Sequence, residues 1–123
     1  MRRIKSKGMK PEVAVRRLVH SMGYRFRLHW QKLPGKPDLV FVARKKILDV
    51  RGCFWHQHRR CVDSHIPKSN AAYWGPKLER NRSRDRKNAK QWRKLGWEYL
   101  TVWECEVSNI AVLSARLRDF LES

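Results

Sequence analysis

Residues 97–103, Trp97-Glu98-Tyr99-Leu100-Thr101-Val102-Trp103, form a nearly continuous run of aromatic, aliphatic and β-branched side chains. A strand wetted on one face alternates apolar with polar residues, whereas a run this apolar reads as a buried central strand covered on both faces. Candidate covers stand on either side. Within residues 76–95, Leu78, Ala89, Trp92 and Leu95 recur at helical spacing among many Lys and Arg, and Gly96 supplies a helix stop. After the run, Ile110, Leu113, Leu117, Phe120 and Leu121 mark a closing helix begun by Ser108 or Asn109, residue types that cap helix starts.

The first half supplies the remaining elements. Val15, Leu18, Val19 and Met22 follow the i, i+3, i+4, i+7 spacing and predict a helix over residues 11–22, with Pro11 suited to its first turn. Residues 24–29 form a short strand candidate, followed by the turn-rich Leu33-Pro34-Gly35-Lys36-Pro37. Residues 38–42 and 46–50 read as strands joined by a tight hairpin at Ala43-Arg44-Lys45. Residues 52–70 show no periodicity and read as a loop needing another source of order. The order predicts an α/β fold, a three-layer mixed sheet flanked by helices, and 123 residues allow one domain over 1–123.

Charge then narrows the partner. Twenty-nine Lys plus Arg against eleven Asp plus Glu give +18, more than solubility requires, and imply an anionic partner such as nucleic acid. With 41% hydrophobic residues and six Trp, the chain is not a disordered basic tail. No run approaches the roughly 18 apolar residues of a membrane span, and the basic start has no apolar signal-peptide core behind it, so a cytoplasmic protein without a membrane partner is expected. Three cysteines cannot all pair within one chain, and a reducing compartment would keep them as thiols or metal ligands.

Three groups of residues carry chemistry. Cys53, Cys61 and Cys105, with one of His56 and His58, offer the thiolate and imidazole donors of a closed tetrahedral zinc site; alternatively Cys53 and Cys105 are small buried apolar residues. The other histidine of the pair is then available to accept a proton from water, or is simply solvated. Pro37-Asp38 and Asp49-Val50-Arg51 look like the Pro-Asp...(Asp/Glu)-x-Lys pattern of a nuclease superfamily, with Arg51 in place of lysine. At the ends of paired strands, Asp38 and Asp49 could converge on one hard cation. Glu12 projects near the inward face of its helix, where an acid needs a partner, or else it complements the helix dipole. Phe54-Trp55 and Tyr73-Trp74 set adjacent aromatics in basic sequence, either as core plugs or as wedges between base pairs.

Taken together, Leu33-Pro34-Gly35-Lys36-Pro37-Asp38, Gly52-Cys53-Phe54-Trp55-His56-Gln57-His58 with Cys61, Tyr73-Trp74, Arg84-Asp85-Arg86, Leu95-Gly96-Trp97 and Val102-Trp103-Glu104-Cys105 resemble the very-short-patch repair (Vsr) DNA mismatch endonucleases. The resemblance covers essentially the whole chain. It implies a type II restriction-endonuclease-like fold of the PD-(D/E)XK superfamily with a structural zinc loop. It also implies Mg²⁺-dependent nicking of one strand 5′ of the thymine in a T:G mismatch, the first step in repairing deaminated 5-methylcytosine. Carried over by position, Asp38 is the metal-binding aspartate, His56 the general base and Glu12 an assisting acid. Zn²⁺ would be held by Cys53, His58, Cys61 and Cys105. Phe54, Trp55 and Trp74 would be the wedge, and Lys77 and Asn81 would read neighbouring base pairs.

The resemblance departs from the family pattern before Gly52, where Val50-Arg51 stands in place of a Thr-His or Val-His pair. The Val50 carbonyl can still bind Mg²⁺. Arg51 could stabilise developing phosphorane charge but cannot act as a general acid at neutral pH, and Asp49 would add a second carboxylate. Met1-Arg2-Arg3-Ile4 aligns after the family's N-terminal arm, so that arm is expected to be short or absent. The asymmetric T:G target favours a monomer; the setting would be bacterial and nucleoid-associated, with room for accessory repair proteins. The alternatives are a restriction- or homing-type endonuclease with the same core, distinguished by Asp49 and Arg51, and a non-catalytic zinc-stabilised DNA-binding module.

Overall fold

The structure, a computed structural model, describes residues 10–53 and 71–123. At its centre, strand β3 (Lys46–Arg51) runs parallel to strand β4 (Glu98–Trp103), in register from Lys46 opposite Glu98 to Arg51 opposite Trp103. Parallel neighbours need a crossover, which helix α2 (Ala71–Lys94) supplies across one face of the sheet. On the other side of β3, strand β2 (Leu39–Phe41) pairs antiparallel, and strand β1 (Arg27–Leu28) pairs antiparallel to β2. The described sheet is therefore mixed, in the order β1-β2-β3-β4.

Alternation along the strands separates the two apolar layers. Leu39, Phe41, Leu48 and Val102 point to one face, where they pack with Ala14, Val15, Leu18 and Val19 of helix α1 (Pro11–Ser21) and Leu113, Leu117 and Leu121 of helix α3 (Ile110–Glu122). Val40 and Ile47 point to the other and meet Trp92 of α2, with Leu33 and the edges of Trp30, Trp97 and Tyr99 around them. The three layers match the expectation from sequence.

Where the structure differs, the reasons are physical. Strand β4 is at an edge of the described sheet, not in its middle. Its apolar run reports two covered faces, Leu100 and Val102 toward α1 and α3 and Tyr99 toward α2, and says nothing about a strand on each side. Only Arg27 and Leu28 of residues 24–29 pair as a strand, because Tyr24 and Phe26 are drawn onto the α1 and α3 layer. Residues 43–45 do not make a bare hairpin loop: Val42–Arg44 form a short 3-10 turn, closed by Lys45 in the left-handed region at φ 54°. Helix α2 starts at Ala71, upstream of the expected span 76–95, and Pro76 lies inside it. A proline there removes the N–H that would bond the Ala72 carbonyl and crowds that carbonyl with its ring, a local cost within a 24-residue helix.

Helix α3 is fastened at both ends. Asn109 is its N-cap, the Oδ1 accepting from the Val112 N–H at 3.3 Å. At its C-terminus the buried Lys46 donates from Nζ to the Phe120 carbonyl and, at 2.8 and 2.7 Å, to the Ser123 carbonyl and hydroxyl. A cation at that end also meets the negative pole of the helix. No helix among the described residues is long and apolar enough to cross a membrane.

Candidate active site

The turn before β2 is clamped onto α2. The Trp92 Nε1–H donates to the Pro34 carbonyl at 2.7 Å, and Trp92 is 1% exposed. Gly35 has φ +78°, and a Cβ there would stand 2.4 Å from Asn88 Cγ, so glycine lets the backbone lie directly against the helix. Pro37 is buried, and the chain then enters β2 with Asp38 at its mouth. Continuing the β2–β3 register by one residue sets Asp38 opposite Asp49. The Val50 N–H donates to Asp38 Oδ2 at 2.7 Å and fixes the carboxylate.

Two further side chains converge there. Glu12, in the first turn of α1, and His29, just after β1, approach to 2.9 Å between Glu12 Oε1 and His29 Nε2. The His29 N–H donates to the Asp38 carbonyl at 3.3 Å. Glu12, His29 and Asp38 each offer one ligand atom, and these atoms all lie within 4.8 Å of one another. Burial pushes the Asp38 carboxyl up most; the Val50 N–H opposes this, while the negative charges of Asp49 and Glu12 raise it further, and the balance stands at about 7. A partly buried carboxylate crowded by two other acids, with an imidazole at hand, is a donor set that fits a divalent cation.

Arg51 lies beside this group, its Nε 2.7 Å from Asp49 Oδ2 and its Nη1 3.7 Å from Asp85 Oδ2 on α2. The guanidinium also covers the Trp103 ring at 5.8 Å from the centroid. With a side chain only 13% exposed, it ties β3, β4 and α2 together.

The remaining expected residues fall in two places. Because Arg51 and Trp103 are register partners, Cys53 and Cys105 each follow the same sheet edge by two residues. Cys53 is buried and Cys105, in the 3-10 turn Glu104–Ser108, is half-buried. On α2, Trp74 stacks edge-on with Tyr73 at 4.9 Å between centroids, and Lys77 Nζ lies 3.0 Å from the Tyr73 hydroxyl. Asn81 is half-buried one turn further on. Phe54, Trp55, His56, His58 and Cys61 lie outside the described residues.

Sequence reasoning missed His29 and the partnership of Asp85 with Arg51. Nothing in the spacing marks His29; its signal is the β1–β2 register, which places residue 29 opposite residue 38 once Arg27 is paired with Val40.

Comparison with known proteins decides what this site belongs to. A family profile described as DNA mismatch endonuclease Vsr matches residues 1–62. The chain is 49% identical over 122 residues to the type II nicking enzyme V.XorIIP of Xanthomonas oryzae pv. oryzae, covering 99% of this chain and 89% of the relative. It belongs to the Vsr family.

Two further relatives frame the range. The type II nicking enzyme V.NmeAIP of Neisseria meningitidis is 42% identical over 117 residues, 95% of this chain and 83% of that protein. The DNA mismatch endonuclease Vsr of Escherichia coli K12 is 34% identical over 126 aligned residues, 98% of this chain and 80% of that protein. As a Vsr-family member the chain is a DNA endonuclease, and DNA is its partner. The basic helix of this Vsr protein, with Arg80, Arg84, Lys87 and Lys90 exposed, suits phosphate contact.

Proposed function

We propose that the protein nicks one strand of duplex DNA 5′ of the thymine in a T:G mismatch and so starts very-short-patch repair of deaminated 5-methylcytosine. The observation that carries this reading is Asp38, pinned by the Val50 N–H among Glu12, His29 and Asp49 at the mouth of β2. Hydrolysis joins a water oxygen to phosphorus and expels one ester oxygen, so the site must attract an anion to a place lined with acids. Mg²⁺ bound there would neutralise the phosphate and make water more acidic.

Asp38 and the Val50 carbonyl would hold that ion, with Asp49 as a second carboxylate. His56 accepts the proton of the attacking water and Glu12 assists. Arg51 keeps Asp49 in place through their 2.7 Å contact and adds positive charge beside the phosphate position. The fold assigned is the type II restriction-endonuclease-like one of the PD-(D/E)XK superfamily, supported by the mixed sheet between helices.

A structural zinc held by Cys53, His58, Cys61 and Cys105 is supported by the shared sheet edge of the two described cysteines. Four protein ligands leave that ion no open position for substrate. Phe54, Trp55 and Trp74 wedge at the mismatch, where a mispaired step costs less to unstack, and Lys77 and Asn81 read the neighbouring pairs. The protein acts as a monomer at the bacterial nucleoid, with accessory repair proteins as further partners.

The test is a nicking assay on labelled duplexes, T:G against T:A, with Mg²⁺ or chelator, for the wild type and Asp38→Ala. One nicked strand at T:G alone, lost in chelator and in the variant, is expected. Equal cutting of matched DNA overturns the mismatch specificity in favour of a restriction-type or homing-type enzyme, and cutting in chelator overturns the metal requirement.

A further inference from the structure

We propose that His29 is a nitrogen ligand of the active-site cation, which it holds together with Glu12 and Asp38, and that this set binds Mn²⁺ more tightly than Mg²⁺. The inference rests on the metal-dependent reading of Asp38; it adds His29 as a ligand, gives the assisting Glu12 a direct contact with the ion on the side away from the Val50 carbonyl and Asp49, and adds a metal preference.

Three separate elements deliver the three donors: the first turn of α1, the residue after β1 and the mouth of β2. Donors sharing one octahedral cation at about 2.1 Å lie roughly 3 Å apart when adjacent and about 4.2 Å apart when opposite. The Glu12 to His29 separation of 2.9 Å is the adjacent spacing, and the whole set fits within 4.8 Å. No rearrangement of the backbone is needed to bring the donors round one ion.

The placement of His29 is set by the main chain. Arg27 opposite Val40 and Leu28 opposite Leu39 put His29 opposite Asp38, and the His29 N–H reaches the Asp38 carbonyl at 3.3 Å. His29 adopts φ +47°, a left-handed conformation uncommon outside glycine that histidine enters more readily than most residues, and it does so next to the carboxylates. The side chain is 52% exposed, so the imidazole has room to turn its lone pair toward an ion. Ligation needs that lone pair on Nε2, with the ring proton on Nδ1.

Donor chemistry gives the preference. Mg²⁺ takes oxygen ligands and gives up water reluctantly, whereas imidazole suits the later divalent ions, and Mn²⁺ accepts both donor types. A site with one imidazole and two carboxylates therefore favours Mn²⁺ over Mg²⁺.

The test uses the whole protein, freed of loosely held divalent ions by passage over a chelating resin. Mn²⁺ is titrated in and followed by electron paramagnetic resonance, with Mg²⁺ as competitor, for the wild type, His29→Gln, His29→Ala and Asp38→Asn. Glutamine keeps a polar side chain of similar reach and exchanges nitrogen for oxygen. His29→Gln is expected to weaken Mn²⁺ by at least about tenfold, in line with the effect of altering a metal shell, and to leave Mg²⁺ nearly unchanged. In the wild type, electron spin-echo modulation should show an imidazole nitrogen coupled to Mn²⁺, absent in both His29 variants. Unchanged Mn²⁺ affinity in His29→Gln, an equal loss for both ions, or a nitrogen coupling that persists in the variants overturns the proposal. If Asp38→Asn binds Mn²⁺ as the wild type does, the metal-dependent reading of Asp38 fails with it; a loss in Asp38→Asn alone sinks only the role of His29.

Discussion

Replacing Asp38 by asparagine is expected to stabilise the divalent-free protein at pH 8. In the folded chain burial, Asp49 and Glu12 push this carboxyl from 3.8 to about 7, against the pull of the Val50 N–H. Between those values the folded protein keeps a proton that the unfolded chain has released, so stability falls as pH rises through that window. A rise of about three units at 1.36 kcal/mol each sets a ceiling of about 4 kcal/mol on the cost of the charge at pH 8. Asparagine has the same outline and still offers an oxygen to the Val50 N–H, but loses the extra strength of a charged acceptor, about 1 kcal/mol.

The net gain is therefore on the order of 2–3 kcal/mol at pH 8, and near zero at about pH 3, where aspartate in both states is largely protonated. For a chain of this size that is a rise in melting temperature of roughly 10 °C. Thermal unfolding followed by circular dichroism at both pH values, in divalent-free buffer, measures it. A variant that melts at or below the wild type at pH 8, or that gains equally at both pH values, would refute the electrostatic argument. Adding Mn²⁺ or Mg²⁺ should raise the wild type and leave Asp38→Asn where it is, because bound cation stabilises only the state that holds it.

Three other perturbations have definite outcomes. Gly35→Ala combines a φ of +78° with a 2.4 Å approach to Asn88, and should cost about 1–3 kcal/mol in urea unfolding; adding Asn88→Ala should restore only part, and full restoration would show that the backbone angle is innocent. Asn109→Ala removes the cap on Val112 and should cost about 1 kcal/mol, with faster amide exchange in the first turn of α3 and not in α1. Cys105→Ala should abolish zinc retention measured by atomic emission, and zinc held undiminished would reject the ligand set that includes it.

How much of this was legible in the sequence depended on whether a feature is local. The helices α1 and α3 follow from the spacing of Val15, Leu18 and Val19 and of Leu113, Leu117 and Leu121, since periodicity is a property of the segment itself. The capping role of Asn109 was legible for the same reason. The start of α2 was not, because Pro76 reads as a local start signal although the helix already runs from Ala71. The candidate site divides the same way. Asp38 stood out beside its proline and Glu12 as an acid on an inward face, and the structure brings them together. His29 did not, because its place opposite Asp38 is fixed by pairing between strands. Asp85 stood in the sequence only as part of the Arg84-Asp85-Arg86 motif, without a partner assigned, until the fold turned it toward Arg51.

The charge of the whole chain and the charge of the site have opposite signs, and the contrast constrains the order of events. A chain of +18 draws DNA to its surface from a distance. At the mouth of β2, however, Glu12 and Asp38 stand together with His29, while Asp49, also close to Asp38, and Asp85 meet the guanidinium of Arg51. A phosphate meeting those carboxylates without a cation would face like charge at short range, where screening by salt is weakest. The negative charges of Asp49 and Glu12, which add to the burial that lifts Asp38 to about 7, would repel a bare phosphate in the same way. Binding of DNA and binding of the cation should accordingly be coupled, each raising the affinity for the other by the same factor. Basic residues on α2 can hold DNA without the cation, but only by contacts away from the mouth of β2, so the register that aligns a phosphate with Asp38 should appear when both are present.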